Sequence, residues 1–225
     1  MNMKGLFVTI EGIDGVGKST CAKALAEELR KRYPEREVVS IKTPGETEAG
    51  KEIRKIVLNP ELSLESKARF LMFVADMHQV TEEIVKPVLS RGGIVISDRY
   101  RDSTFVYQIR CNSDLDDREA EIFEDILDEL TVGPDVVFVL DLPVADAKKR
   151  ILASRKQFVD AFERAPENIW QMRRVVFRDV VVYGNKGEDY HLLPASRPTA
   201  DLAKMMMKTI EKLLEEKSDE RKQAA

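Results

Sequence analysis

The chain has 225 residues, 43% hydrophobic and 34% charged, with 11 glycines and 9 prolines, which excludes a disordered, collagen-like or wholly coiled-coil chain. A fold of this length buries about 70–75% of its unfolded surface and needs no disulfide or metal to hold it; Cys21 and Cys111 match neither a disulfide framework nor a metal-site spacing. Thirty-six basic against forty acidic residues leave a net charge of −4, which argues against nucleic-acid binding through a basic face but allows small anionic ligands in a locally basic pocket.

No apolar run approaches the ~18 residues of a membrane helix. The opening run Leu6 to Ile10 stops at Glu11, too short for a secretory signal. The composition therefore predicts a reduced, cytoplasmic protein, with no membrane and no nucleic acid among its partners.

In chain order, the β-branched and aromatic run Lys4 to Ile10 predicts a first buried strand. Gly12-Ile-Asp-Gly-Val-Gly-Lys-Ser19 follows at once and matches the eight-residue phosphate-loop pattern, with a helix predicted from Lys18 to Arg32. Glycines let successive N–H groups turn inward to phosphate oxygens. The helix N-terminus adds its dipole, Lys18 offers a cation for the outer phosphates, and the Ser19 hydroxyl can hold Mg²⁺. The nucleotide-binding residues are thus Gly12, Ile13, Asp14, Gly15, Val16, Gly17, Lys18, Ser19 and Thr20.

Glu37 to Lys42 predicts a second strand, Leu64 to Leu89 a long helix, and Gly93 to Ser97 a third strand. Asp98-Arg99-Tyr100 comes directly after it. In an open parallel sheet ligands gather at the carboxyl ends of strands, so Asp98 is expected near Ser19 as a second metal-orienting group. Arg99, fork-shaped and always charged, suits a second phosphate facing the first.

Asp116 to Leu130 predicts a helix, Val136 to Leu140 a strand, Val144 to Arg155 a helix, Tyr190 to Leu193 a strand, and Pro198 to Lys217 a final helix. This alternation predicts one α/β domain: a five-stranded parallel sheet with helices on both faces. Met205 to Met207 are expected as core filler. Glu215 to Ala225 is expected as a charged, fraying helix end. Asn185-Lys-Gly-Glu188 has the wrong last residue for a guanine reader and is read as a solvated turn.

The motifs together resemble the thymidylate kinase family of P-loop nucleoside monophosphate kinases. The resemblance is carried by Phe7-Val-Thr-Ile-Glu-Gly-Ile-Asp-Gly-Val-Gly-Lys-Ser-Thr20, Asp98-Arg-Tyr-Arg-Asp-Ser103 with Tyr107 and Gln108, Gly50-Lys-Glu-Ile-Arg54, Lys86-Pro87, Leu140-Asp-Leu-Pro143 and Asp160-Ala-Phe-Glu163. It implies ATP- and Mg²⁺-dependent phosphorylation of a pyrimidine deoxynucleoside monophosphate, with dTMP the default acceptor, by a homodimer. It implies that Asp14 contacts the acceptor sugar and Arg99 grips its phosphate, while Phe73 stacks on the base. Arg54 approaches the base and phosphate region, Tyr107 lies beneath the sugar where it disfavours a 2′-hydroxyl, and Thr104 and Gln108 line the pocket. Arg150 lies against adenine, and a small mobile lid at about 154–166 supplies a cation, for which Arg155 is the candidate, with Lys156 and Arg164 behind it.

The chain departs from the family pattern in three places. Met77 stands where a base-reading Arg is usual, with Arg69 and His78 as possible substitutes. Lys42-Thr43-Pro44-Gly45-Glu46 replaces the usual Arg-Glu-Pro-Gly-Gly, and Ala161 removes a lid cation. A pocket lacking that hydrogen bond also suits a modified deoxyuridylate such as 5-hydroxymethyl-dUMP. A non-catalytic nucleotide-binding module is a third reading, set against the retention of Lys18, Asp98 and Arg99.

Overall fold

A computed structural model describes residues 4–155, 160, 162–184 and 187–223, with the side chains of 155 and 218–223 set aside. Five parallel strands, β1 (Leu6–Glu11), β2 (Val38–Lys42), β3 (Ile94–Asp98), β4 (Val136–Asp141) and β5 (Asp189–Pro194), form one sheet in the order β2-β3-β1-β4-β5. All five predicted strands are present within one or two residues of their expected ends. The helices are α1 (Lys18–Arg32), α2 (Glu48–Val57), α3 (Ser66–Val80), α4 (Lys86–Ser90), α5 (Arg101–Thr104), α6 (Asp117–Leu130), α7 (Val144–Arg155), α8 (Glu167–Tyr183) and α9 (Thr199–Gln223).

Strand alternation divides the core between the two faces of the sheet. Leu6, Val8 and Ile10 pack with Leu25 and Leu29 of α1 and with Met206 and Ile210 of α9. Phe7, Ile41 and Val95 pack on the other face with Phe70, Val74 and Val80. Met206 is the fully buried member of the methionine run, while Met205 is 36% exposed, so only part of that run fills the core.

The predicted helix from Leu64 to Leu89 is α3 and α4 joined by a π-helical turn, Thr81–Val85. Pro87 has no N–H for the regular ladder, and a widened turn accommodates the missing donor. Three helical segments were not foreseen: α2, α5 with its π-helical extension Phe105–Arg110, and α8. In α8 the β-branched residues Val175, Val176 and Val180 to Val182 mask the helical spacing of its buried side chains Trp170, Arg173 and Phe177. The charged C-terminal stretch continues α9 as helix to Gln223, and Lys217 ties it down by donating to Asp135 at 2.5 Å and to the Gly5 carbonyl at 3.2 Å.

The sheet order positions the site. From β1 the chain crosses to β2 on one side, and from β3 to β4 on the other, so a crevice opens beyond the ends of adjacent β1 and β3. The register sets Ile10 beside Asp98 and Lys42 beside Asp98 there.

Candidate active site

The loop after β1 is built on positive-φ glycines, Gly12 at 128°, Gly15 at 79° and Gly17 at 103°. A side chain at Gly12 would collide with the Leu140 carbonyl and one at Gly15 with that of Ala147. Ile13 and Val16 turn their side chains into the core, anchoring the loop so that its backbone faces outward. Lys18, 6% exposed, donates from Nζ to the carbonyls of Gly12 (2.9 Å) and Ile13 (2.7 Å). Burial, with Arg99 nearby, brings its pKa down to about 7. An incoming phosphate would reverse that balance.

Two clefts open over this crevice. The first, about 1390 Å³, is lined by Asp14 to Thr20, Asp98 and Arg150, and by the turn Ala195 to Thr199 that leads from β5 into α9. Arg150 donates to the carbonyls of Ala195 (3.0 Å) and Val16 (3.3 Å), joining α7 to both walls. Gly12 and Ile13, expected as nucleotide contacts, do not line it; their carbonyls hold Lys18 instead. The second cleft, about 790 Å³, is lined by every expected acceptor residue: Asp14, Arg54, Phe73, Met77, Arg99, Thr104, Tyr107 and Gln108. Three side chains line both: Asp14, Lys42 and Arg99.

Arg99 is the junction. Its Nη2 donates to Asp14 Oδ1 at 2.5 Å, and its Nη1 to Ser103 Oγ at 2.9 Å and to the Gly12 carbonyl at 3.3 Å. Its backbone is left-handed, φ 72°, a strained conformation for an arginine. The hydroxyls of Ser97 (2.5 Å) and Thr43 (2.9 Å) hold that conformation by donating to the Arg99 carbonyl. Thr43, one of the departures from the family pattern, thus has a structural duty. Burial opposes the charge on Asp14, yet Arg99 and Lys18 hold its carboxyl well below the usual carboxylate range.

Glu11 was missed. It is buried at the end of β1 and accepts from the Tyr100 N–H (2.7 Å) and Ser103 Oγ (2.5 Å), pinning α5 beneath Arg99. Its carboxyl is raised by burial. Its place just before the glycine loop was the available signal.

Ser19 Oγ donates to Asp98 Oδ2, as the metal assignment expects, and Asp98 Oδ1 is buried without a partner among the described residues. Burial raises the Asp98 carboxyl, but Lys18 and Lys42 outweigh it and keep it low. Lys42 Nζ lies 3.4 Å from Asp98 Oδ2 and 3.3 Å from Ser19 Oγ. Sequence reasoning noted Lys42 only as a substitution; the pairing of β2 with β3 makes it a wall of both clefts.

Met77 is fully buried and lines the second cleft, where Thr104 Oγ1 meets its sulfur at 3.7 Å. Neither proposed substitute reaches the cleft: His78 is exposed and meets the Leu130 carbonyl at 2.9 Å, and Arg69 lies over the Phe162 ring. Asp76, Asp160, Phe162 and Glu163 also line the cleft, beyond those foreseen. The Arg155 side chain, Lys156 and Ala161 lie outside the described residues, as do Asn185 and Lys186. Glu188 is not solvated as that turn reading expected: it accepts from Arg101 Nη1 (3.2 Å) and Tyr190 Oη (2.7 Å).

The family model for thymidylate kinase matches residues 10–206. The chain belongs to the thymidylate kinase family. A thymidylate kinase of Cupriavidus necator is 34% identical over 208 residues, covering 92% of this chain and 98% of that one. The probable thymidylate kinase of Thermococcus kodakarensis is 34% identical over 218 residues, covering 94% and 100%. The crystal structure of thymidylate kinase from Ehrlichia chaffeensis superposes with a TM-score of 0.71 at 25% identity, covering 92% of this chain and 99% of that one. As a member of this family the chain is an enzyme, a phosphotransferase, rather than a non-catalytic nucleotide-binding module. Among the described residues, no helix is long and apolar enough to cross a membrane.

Proposed function

We propose that this chain transfers the terminal phosphoryl group of ATP to dTMP, giving dTDP and ADP. The observation that carries this reading is the shared wall of Asp14, Lys42 and Arg99 between a phosphate-loop cleft and a second cleft lined by Phe73, Thr104 and Gln108. One cleft takes the donor and the other the acceptor, so their phosphates meet at that wall. The attacking phosphate oxygen is already anionic and needs no general base. Catalysis is then positioning and charge stabilisation. Lys18, Arg99 and Lys42 supply positive charge, Asp14 orients Arg99, and Arg155 is the cation assigned to the lid at about 154–166.

Ser19 and Asp98 fit a divalent cation: the buried Asp98 Oδ1 has no partner among the described residues, and the two side chains meet at one point of the donor cleft. Mg²⁺ held there would neutralise donor phosphate charge, completing its shell with phosphates and waters.

Family membership supports dTMP over the modified deoxyuridylate that Met77 brought into view. The protein is read as one kinase domain over 1–225, acting in the cytoplasm as a homodimer. A coupled ADP-release assay over dTMP, dUMP, 5-hydroxymethyl-dUMP, dCMP and dGMP tests the substrate. The expected result is a clear preference for dTMP; preference for any other acceptor overturns it.

A further inference from the structure

Behind the acceptor cleft, α8 carries a guanidinium that the mechanism above does not use. Arg173 is only 7% exposed, its Nε is buried without a hydrogen-bond partner, and no carboxylate pairs with it among the described residues. Its guanidinium carbon lies 4.5 Å from the centre of the Tyr107 ring and 5.7 Å from that of Phe162. Its Nη1 donates to the Phe162 carbonyl at 2.8 Å. Tyr107 and Phe162 are themselves walls of the cleft, meeting edge to face with centroids 5.5 Å apart. The Tyr107 hydroxyl donates to Asp14 at 3.1 Å.

A buried charge without an anion is costly, and an apolar side chain of similar length would pack there more cheaply. Among the described residues, the hydrogen bond and ring contacts of its guanidinium go to the two aromatic walls of one cleft. We infer that Arg173 is a positioning residue for the acceptor nucleotide: it clasps Tyr107 to Phe162, fixing the ring that lies beneath the sugar and the segment that closes over the base. This rests on the acceptor reading of that cleft. The task suits arginine, whose planar fork can lie over a ring and still donate to a carbonyl, and does not suit lysine.

The test compares Arg173→Met and Arg173→Lys with the unaltered enzyme, using ATP with dTMP or with its ribose counterpart, ribothymidine 5′-monophosphate. For Arg173→Met the expected result is a dTMP KM raised ~10-fold, an ATP KM within ~2-fold, and a deoxy-over-ribo preference reduced ~5-fold, because only the acceptor wall has moved. Emission of the single tryptophan, Trp170, on the same helix checks that α8 stays packed. An unchanged dTMP KM and deoxy-over-ribo preference, or an equal rise in both KM values, overturns the inference. If Arg173→Met does not fold, Arg173→Lys decides: a ~3-fold rise in the dTMP KM alone supports the clasp, and no rise refutes it. The acceptor reading fails separately, if the unaltered enzyme does not use dTMP.

Discussion

Arg99 and Lys42 reach the shared wall of the two clefts in different ways. Arg99 is held in a strained backbone by Ser97 and Thr43 and oriented by Asp14 and Ser103, so its charge is fixed before any ligand arrives. Preorganised charge of this kind acts where negative charge builds up in the transition state. Lys42 is half exposed, and its Nζ lies 3.3 Å from Ser19 Oγ and 3.4 Å from Asp98 Oδ2, so it contributes a less constrained charge. Steady-state assays of Arg99→Ala should therefore show kcat lowered by ~10³-fold, and those of Lys42→Met by ~10-fold, with both variants folded. Equal losses would mean that preorganisation is not what separates the two cations.

At the scale of the element, α2 presents Arg54, whose Nη1 donates to the Pro44 carbonyl at 2.7 Å on the rim of the acceptor cleft. The helix has few buried residues and depends on its start, where the Thr47 side chain accepts from the Gly50 N–H at 3.0 Å. Thr47→Ala should cost about 1 kcal/mol in chemical denaturation, the usual worth of such a cap. It should raise the dTMP KM more than the ATP KM, because α2 borders the acceptor cleft alone. A symmetrical rise would detach Arg54 from acceptor binding.

Across the whole molecule, a largely buried polar cluster, with Asp128 at its exposed edge, joins α5, α6 and β5 away from the clefts. Arg101 pairs with Asp128 and with Glu188 (3.2 Å), and the Tyr190 hydroxyl lies 3.1 Å from Asp102 Oδ1 and 2.7 Å from Glu188 Oε2. One hydroxyl proton cannot serve two carboxylates, so the arrangement is satisfied when Asp102 is protonated and donates to Tyr190 while Tyr190 donates to Glu188. Burial, with Glu11 and Glu188 nearby, pushes Asp102 up to about 8. Its unfolded value is near 4, so between about pH 4 and pH 8 the folded state binds the extra proton and stability falls as pH rises. Asp102→Asn removes that dependence. Its melting temperature should exceed that of the unaltered protein by more at pH 8 than at pH 5; a gap that is constant or shrinks with pH would refute the protonated carboxyl.

How much was legible divides along the same physical line. Gly12 to Ser19, the strands, and Asp98 with Arg99 were readable because each depends on neighbours in sequence: a loop that needs positive φ, a run that must be buried, an acid and a base at a strand's end. The acceptor residues Phe73, Met77, Thr104, Tyr107 and Gln108 came from the family resemblance, and the fold brings them to one cleft. Lys42, Glu11, Phe162 and Arg173 were not legible as site residues, nor was α8 as a helix. Lys42 matters because β2 lies beside β3, and Arg173 because α8 packs behind Tyr107. Local chemistry thus determined by itself that the chain carries a phosphate-loop pattern and where it lies. Which charges face one another across the two clefts was decided only by strand order and helix packing, since those set distances between residues far apart in sequence.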